Sequence, residues 1–580
     1  MKELCYSIQR AQNRAKIGSG YGAGRLEIVV TGSLRTLVCY ASDVRRIHSS
    51  AWLLVGLSAV LQVVIFPLAD LYWVAWLAVT PLLVALLRAR PAGILQVDAA
   101  AKLAPASPLQ GFVLAYVCGI LWNAGTCYWV FDTMHRYGGL SSAAAAFVLL
   151  LFCLYIGLYH GLFGLLLAVV ARRALLVRAL VAAPFIWVAV ELARTRVTAF
   201  PWELLGYAQT SNIAVSRIAT LTGVYGISFE IVLVNSVFAA AFLVEKSRRN
   251  RLLGAAFGAA LVLQVGQWTM KPPPAAADRA AVLVQPNIPI EANWTENYFQ
   301  STLKDLAGLS LQPPVTNAEA GAAAGEKVIV WPESPAPFFT NDMRFRDPVS
   351  ELARQSGNWV IVGAIGVTPA NQSGRQSSLI FNSAALVSPQ GEWTGRYDKV
   401  HLVPFGEYLP FPQIFAFAGG LTKEVGEFQH GTSRKPLDAG RERIGTFICY
   451  ESIFPDEVRR FALDGAGVLV NISNDGWYGD SGAWKQHLQQ TRMRAIENDR
   501  WLLSATNTGL TAAIDPWGRV VADVPRKERT AMVAPYALVS GTTFYTQHGD
   551  WFAYLCAIIS VVVSCWSLVV RKISRTQANG

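Results

Sequence analysis

Cys449 closes the run Arg443-Ile444-Gly445-Thr446-Phe447-Ile448 and is followed by Tyr450 and Glu451; no other cysteine lies between Cys153 and Cys556. If the block around it lies outside the cytoplasm, a lone thiol there has no partner for a structural disulfide and is open to oxidation, so chemistry explains it better than packing. Packing remains the competing reading, because a free cysteine often behaves as a small buried hydrophobe. Two other segments place ionisable groups at the end of an apolar run. Val328-Ile329-Val330-Trp331-Pro332-Glu333 stops at a proline and presents a carboxylate. Arg396-Tyr397-Asp398-Lys399-Val400-His401-Leu402-Val403-Pro404-Phe405-Gly406-Glu407 carries a lysine and a second glutamate. Such groups suit acyl transfer: a thiolate attacks, a carboxylate takes its proton, and an ammonium favours both the thiolate and the oxyanion it generates. Taken singly, Glu333 reads as a surface or capping carboxylate, Lys399 as a solvated charge and Glu407 as its ion-pair partner. The combination is far more specific.

Groups so distant along the chain need a fold to gather them. Strand-like runs lie at Ala281–Gln285, Val328–Trp331, Trp359–Ile365, Leu379–Val387, Ile444–Tyr450, Gly467–Ile472, Leu502–Thr506 and Thr511–Ile514. Helical patterns fall between several of them, at Glu296–Leu309, Pro348–Gln355, Pro455–Leu463 and Trp484–Glu497. Strands alternating with helices predict a layered α/β domain. Leu311–Gly325, rich in Pro, Ala and Gly, reads as an exposed linker.

Lipid-length segments flank this block. Charged residues make up only 15% of the chain and apolar ones 53%, a balance that points to a membrane protein. Runs approaching the ~20 residues that cross hydrocarbon are Trp52–Ala69, Leu71–Leu87, Leu109–Phe131, Ala143–Ala171, Ala179–Leu192 (short, and interrupted by Pro184), Ile218–Val244, Leu252–Trp268 and Trp551–Val570. The expectation is a polytopic α-helical membrane protein with eight transmembrane helices, seven before the α/β domain and one after it. Its divisions are a basic extension at 1–48, a transmembrane domain at 49–270, the α/β domain at 271–550 and a last helix with its tail at 551–580. Arg88, Arg90 and Lys102, then Arg172, Arg173 and Arg178, then Lys246, Arg248, Arg249 and Arg251, and finally Arg571, Lys572 and Arg575 fall on one side. The positive-inside rule makes that side cytoplasmic and the α/β block extracytoplasmic, although Arg194, Arg196 and Arg217 break the pattern. Topology thus accounts for much of the net charge of +11 without nucleic acid.

Other residues carry smaller expectations. Trp129, Tyr137, Trp202 and Tyr207 fit an interfacial aromatic belt. Glu191 and Glu230 lie in or near apolar spans, where ionisable groups are expensive and often functional. Phe405, Phe411, Phe415 and Phe417 form either a lid at the membrane surface or ordinary core. Cys118, Cys127, Cys153, Cys556 and Cys565 read as buried packing residues, and Arg494 with Glu497 as a structural pair on one helix. His401, His430 and His487 are too scattered for a zinc site.

The three reactive segments resemble the nitrilase superfamily, whose members use a Glu-Lys-Cys triad on an αββα sandwich. With the flanking spans, the chain is similar to the membrane-anchored branch of that superfamily, the bacterial apolipoprotein N-acyltransferases. The strongest matches are Trp331-Pro332-Glu333-Ser334, Lys399 through Pro410, and Ile448-Cys449-Tyr450-Glu451; Val284-Gln285-Pro286-Asn287, Phe200-Pro201-Trp202 and the run from Ser473 to Gly479 add to them. The extension before Trp52 lies outside the family pattern. The resemblance implies Glu333 as general base, Lys399 as oxyanion stabiliser and Cys449 as nucleophile. It also implies Glu407, Tyr450 and Glu451 as supports, Trp294, Asn382 and Trp477 near substrate, and no cofactor or metal. The implied donor is a phospholipid such as phosphatidylethanolamine, and the implied acceptor is the N-terminal diacylglyceryl-cysteine of an apolipoprotein. The implied location is the bacterial inner membrane, with the domain in the periplasm. Two other readings stay open: a membrane-tethered amidase or nitrilase acting on a small amide, and a non-enzymatic transporter or scaffold whose outer domain binds a ligand.

Overall fold

The computed structural model describes residues 44, 46–91, 103–171, 176–243, 246–270, 272–273, 276–317, 327–334, 336–372, 375–409 and 428–578. The expectations for Lys102, Arg172, Arg173, Phe411, Phe415 and Phe417, nearly all of the 1–48 extension and most of the 311–325 linker fall outside these residues.

The strands of the block after residue 278 are β1 (Arg279–Gln285), β2 (Val315–Thr316), β3 (Val328–Val330), β4 (Trp359–Gln372), β5 (Arg375–Val387), β6 (Trp393–Asp398), β7 (Leu437–Ala439), β8 (Glu442–Ile448), β9 (Val468–Ser473), β10 (Leu502–Thr506), β11 (Thr511–Ile514), β12 (Val520–Val524) and β13 (Thr530–Tyr536). They pair as a seven-stranded sheet ordered β2-β13-β1-β3-β4-β5-β6 and a six-stranded sheet ordered β12-β11-β10-β9-β8-β7. Side chains alternate along β1: Ala281 and Leu283 enter the core between the sheets, whereas Val282 and Val284 pack beneath the helices Glu296–Leu311 and Met343–Ser356. Val458 and Phe461 of the Pro455–Leu463 helix and Ala495 of the Ala483–Asn498 helix cover the other sheet. The layers therefore run helix, sheet, sheet, helix. In the middle of each sheet the strands run parallel, β1-β3-β4 in one and β8-β9-β10 in the other. Chemistry in such sheets gathers beyond the carboxyl ends of the strands, and that is where β3 and β8 deliver Glu333 and Cys449.

Among the described residues, five helices are long and apolar enough to cross a membrane: Pro108–Thr126, Ser142–Ala171, Leu176–Thr198 with its last turn widened to a π-helix, Val224–Leu243 and Trp551–Val569. Ser49–Val64, Tyr72–Leu87 and Ile213–Thr222 are apolar but shorter, and Lys246–Thr269 runs beside them as a further helix. Three of the expected spans are broken. Ile218–Val244 parts at Gly223, between the helices Ala219–Thr222 and Val224–Leu243. Leu71–Leu87 divides into Tyr72–Val74, Ala75–Ala78 and Thr80–Leu87. The break holds because the Asn235 side chain of a neighbouring helix accepts from Val79 N at 2.9 Å and Thr80 N at 2.8 Å and donates to the Ala75 carbonyl at 2.8 Å, satisfying the freed backbone. Leu109–Phe131 bends into a second helix, Trp129–Arg136, after Cys127. Cys565, expected to be buried, is exposed on the last helix, while the other five described cysteines are buried.

The helices and the sandwich share a core: Met493 and Ile496 of the Ala483–Asn498 helix pack in the same apolar cluster as the bundle and as Ala553 and Cys556 of the last helix. Within the bundle, glycines set how closely helices cross. A Cβ on Gly164 would lie 2.1 Å from the Gly111 carbonyl oxygen, and one on Gly111 would lie 2.5 Å from that of Gly164. Backbones approach this closely only where side chains are missing. Gly164→Leu is expected to destabilise the bundle by about 1–3 kcal/mol, the usual cost of overpacking, seen as a lower midpoint in thermal unfolding followed by tryptophan fluorescence in detergent. Gly254→Leu, where an added Cβ meets nothing within 4 Å, is the matched control and should leave the midpoint unchanged.

Candidate active site

Four buried side chains from three segments converge around the Lys399 ammonium. β3 ends at Val330, and Trp331-Pro332 lead Glu333 inward. Lys399 directly follows β6, its backbone N–H donating to the Asn382 carbonyl of β5 at 2.8 Å. Its Nζ lies 3.2 Å from Glu333 Oε1 and 3.0 Å from Glu407 Oε1. Asn382 Nδ2 donates to the same two oxygens, at 2.7 and 2.6 Å. The remaining oxygens are also satisfied: Glu333 Oε2 accepts from Asn474 N at 2.9 Å and Glu407 Oε2 from Val403 N at 2.8 Å. Lys399 is only 1% exposed. Burial alone would pull its pKa down, but the Glu333 and Glu407 carboxylates outweigh that and hold it above the usual lysine range. The group is therefore an ammonium at any physiological pH.

Cys449 sits where β8 turns into the short helix Cys449–Ile453. Its φ of 50° lies in the left-handed region, uncommon for a residue with a Cβ and stable only where neighbours enforce it. Glu451 enforces it. One carboxylate oxygen accepts from Ile448 N at 2.8 Å; the other accepts from Tyr397 Oη at 2.7 Å, Val400 N at 2.8 Å and His401 N at 3.1 Å. A single buried side chain thus ties the cysteine turn to the segment carrying Lys399. The Cys449 thiol is pushed well above the ordinary cysteine range, first by burial and then by the Glu333 charge, with Lys399 opposing. At rest the sulfur keeps its proton, and the carboxylate that helps keep it there is also a group able to receive it. A protonated thiol, a neighbouring carboxylate and a fixed ammonium form a set that can make and break an acyl–sulfur bond.

Tyr450 points from this turn to the helical half of the chain. Its hydroxyl donates to the Ala199 carbonyl at 3.3 Å, and its ring belongs to an apolar cluster with Cys127, Trp202, Phe454 and Tyr478. This corrects the reading of Trp202 and Tyr207 as lipid-facing aromatics: they are 1% and 0% exposed. The loop after the π-helix turn folds under the sandwich, where Trp202 Nε1 donates to Gln486 Oε1 at 2.8 Å and Tyr207 Oη accepts from Arg494 at 3.1 Å. Trp129 joins the same cluster, its ring centroid 5.0 Å from that of Trp202. Trp477 is half-buried on the loop after Asn474, edge-on to Tyr137 at 5.3 Å. Trp294 packs on Tyr298 and Phe338 in the helix layer outside the seven-stranded sheet. Arg494 and Glu497 pair at 2.9 Å with neither exposed, and Glu497 also accepts from Val224 N at 3.0 Å, capping the start of a bundle helix. Glu191 accepts from Leu205 N at 2.8 Å and Trp187 Nε1 at 3.0 Å.

Sequence reasoning missed the Asn474 amide on Glu333 and the contact of His487 with the Cys449 carbonyl. The first was hidden because a backbone donor has no residue-type signature; the second because the histidine was weighed only as a metal ligand.

The sandwich and its site define a recognised class: the family model described as carbon-nitrogen hydrolase matches residues 280–542. A second model, described as apolipoprotein N-acyltransferase N-terminal domain, matches residues 58–237. The chain is 33% identical over 530 residues to the apolipoprotein N-acyltransferase of Geobacter metallireducens, covering 90% of this chain and 96% of that one. It is 34% identical over 483 residues to the enzyme of the same name from Methylococcus capsulatus, covering 81% and 90%. For the one from Vibrio parahaemolyticus the identity is 28% over 474 residues, covering 80% and 90%. The chain belongs to the apolipoprotein N-acyltransferase family.

Proposed function

We propose that this chain moves a fatty acyl group from a phospholipid, phosphatidylethanolamine being the expected donor, through a thioester on Cys449, to the α-amino group of the N-terminal diacylglyceryl-cysteine of apolipoproteins. The observation that carries this is the buried Cys449 thiol within the field of the Glu333 and Lys399 charges, next in the chain to a tyrosine hydrogen-bonded to the loop that leaves the membrane helices. In the first half-reaction Glu333 takes the thiol proton as sulfur attacks the ester carbonyl. The oxyanion forms beside Lys399 and backbone amides. As the carbon–oxygen bond breaks, Glu333 returns the proton to the leaving oxygen and a lysophospholipid departs. In the second, the amine attacks the thioester, Glu333 takes a proton from nitrogen, the carbon–sulfur bond breaks and the thiol is restored. Asn382 and Glu407 fix the Lys399 ammonium, Tyr450 and Glu451 fix the cysteine turn, and Trp477 and Trp294 are assigned to the substrate path.

The membrane arrangement fits such substrates. Each buried methylene contributes roughly 0.8 kcal/mol to membrane residence, so an acyl donor and a lipidated acceptor stay in the bilayer and the site must come to them. We assign eight spans, seven within 49–270 and one from 551, with the 271–550 domain on the periplasmic face of the inner membrane. The alternating arginine and lysine connections support this orientation.

The test is to incubate the purified chain with labelled phospholipid and a diacylated lipopeptide and to weigh both products by intact mass spectrometry. One acyl chain added to the protein, then transferred to the peptide, is the expected result. Free fatty acid or ammonia without acylated peptide would replace transfer by hydrolysis, and a wild-type chain that never gains mass would favour a ligand binder.

A further inference from the structure

The backbone carbonyl of Cys449 is held by a side chain that the reaction above leaves unused. His487, on the Ala483–Asn498 helix and 2% exposed, places Nε2 3.1 Å from the Cys449 carbonyl oxygen and 2.7 Å from Ser452 Oγ, and Nδ1 3.1 Å from Asp475 Oδ1. Carbonyl and carboxylate oxygens only accept hydrogen bonds, so a ring that donates to both carries a hydrogen on each nitrogen, with the Ser452 hydroxyl as a second acceptor at Nε2; a neutral ring protonated on Nδ1 would instead accept from Ser452 and leave the carbonyl unheld. The surroundings agree. Burial would lower the His487 pKa, but the Asp475 carboxylate outweighs it and the value is raised; Asp475 in turn is held below the usual carboxylate range, its own burial outweighed by His487 and by Ser473.

Ser452, His487 and Asp475 line up as a hydrolytic serine triad would. That reading fails on access: Ser452 is 0% exposed, and its histidine is shared with a main-chain carbonyl. What remains is a positional role. Cys449 holds a left-handed φ, and Tyr450 N–H is among the first donors of a short helix, which lack partners inside it. Because a peptide unit is planar, fixing the Cys449 carbonyl also fixes the Tyr450 N–H on its opposite edge.

We infer that His487 is a positioning residue for acyl transfer: as an imidazolium it anchors the Cys449 carbonyl and thereby holds the turn that aims the thiol and the following amide at the acyl carbonyl. The inference rests on the thioester reading above. The titratable groups that face the ring are Asp475 and Tyr478 from one turn, Cys449 from another, and Glu333 from across the site; Trp202 stacks over it without titrating. Since the His487 pKa is raised, its contribution is complete at low pH and is lost as pH rises through that value.

The experiment follows the rate of thioester formation on the full chain in detergent, with labelled phospholipid, from about pH 6 to about pH 10, a range that spans histidine titration. The wild-type rate is expected to fall on the alkaline side. His487→Gln keeps an amide donor but no titrating proton; it should be about a hundredfold slower, the scale of a small misplacement of reacting atoms, with no alkaline fall and an unchanged KM for phospholipid. Asp475→Asn should move the alkaline fall to lower pH, and it decides the matter if His487→Gln does not fold. A His487→Gln rate within about twofold of wild type, or an alkaline fall shared by all three proteins, overturns the inference while leaving the thioester reading intact. A wild-type chain that forms no adduct overturns both.

Discussion

Cys449→Ala is expected to lose the acyl adduct and acyl transfer together, by a factor that approaches the roughly millionfold seen when a nucleophile is removed from a covalent mechanism. The substitution is mild for the fold. Alanine keeps the Cβ, so the left-handed turn at φ 50° is asked to hold no new atom, and the four hydrogen bonds to Glu451 that enforce it are untouched. The loss should therefore appear without a change in thermal unfolding. Intact mass after exposure to phospholipid should show no added acyl chain, and a diacylated lipopeptide should come through unmodified. Transfer that survived in this variant would mean that sulfur is a bystander and that acyl groups move directly between lipids.

Lys399→Met should damage both rate and stability, for separable reasons. Removing one oxyanion donor commonly slows acyl chemistry by about a hundred- to a thousandfold. Removing one member of a buried ionic cluster costs about 3–5 kcal/mol, because the partners stay buried without their counter-charge. Here two carboxylates would face each other with only the Asn382 amide between them. A second change separates the effects: Lys399→Met with Glu407→Gln should recover much of the unfolding midpoint, since one orphaned charge is gone, yet none of the thioester formation rate. Recovery of both would reduce Lys399 to a structural residue. Lys399→Arg is expected to recover neither, because a planar guanidinium cannot occupy the site of a compact ammonium wedged at 3.0 and 3.2 Å from two oxygens.

Of the candidate catalytic residues, Glu333 and Cys449 were legible because each follows a strand whose apolar run can be read locally, whereas Lys399 follows β6, whose sequence Trp393-Thr394-Gly395-Arg396-Tyr397-Asp398 carries no such run. The strands missed had physical disguises. β13 contains Pro535, which argues against a sheet interior, but at that point the strand pairs on one side only, with Ala280 of β1, and the missing N–H is not needed. The break in Leu71–Leu87 was invisible to hydropathy because its compensation, Asn235, lies on another helix. Trp202 and Tyr207 were misread for a related reason. An aromatic residue near the end of an apolar run has the same composition whether it faces lipid or the underside of a domain, and only the tertiary contacts with Gln486 and Arg494 distinguish the two. Asn382 was expected near substrate; its clamp between two carboxylates depends on distances that spacing along a strand cannot carry.

The hydrogen bond from Tyr450 to Ala199 gives the molecule a very short transmission line. One peptide link separates the sulfur from a residue whose ring is clasped by the loop that leaves the membrane helices. A displacement of that loop would therefore be expected to move the turn that carries the sulfur.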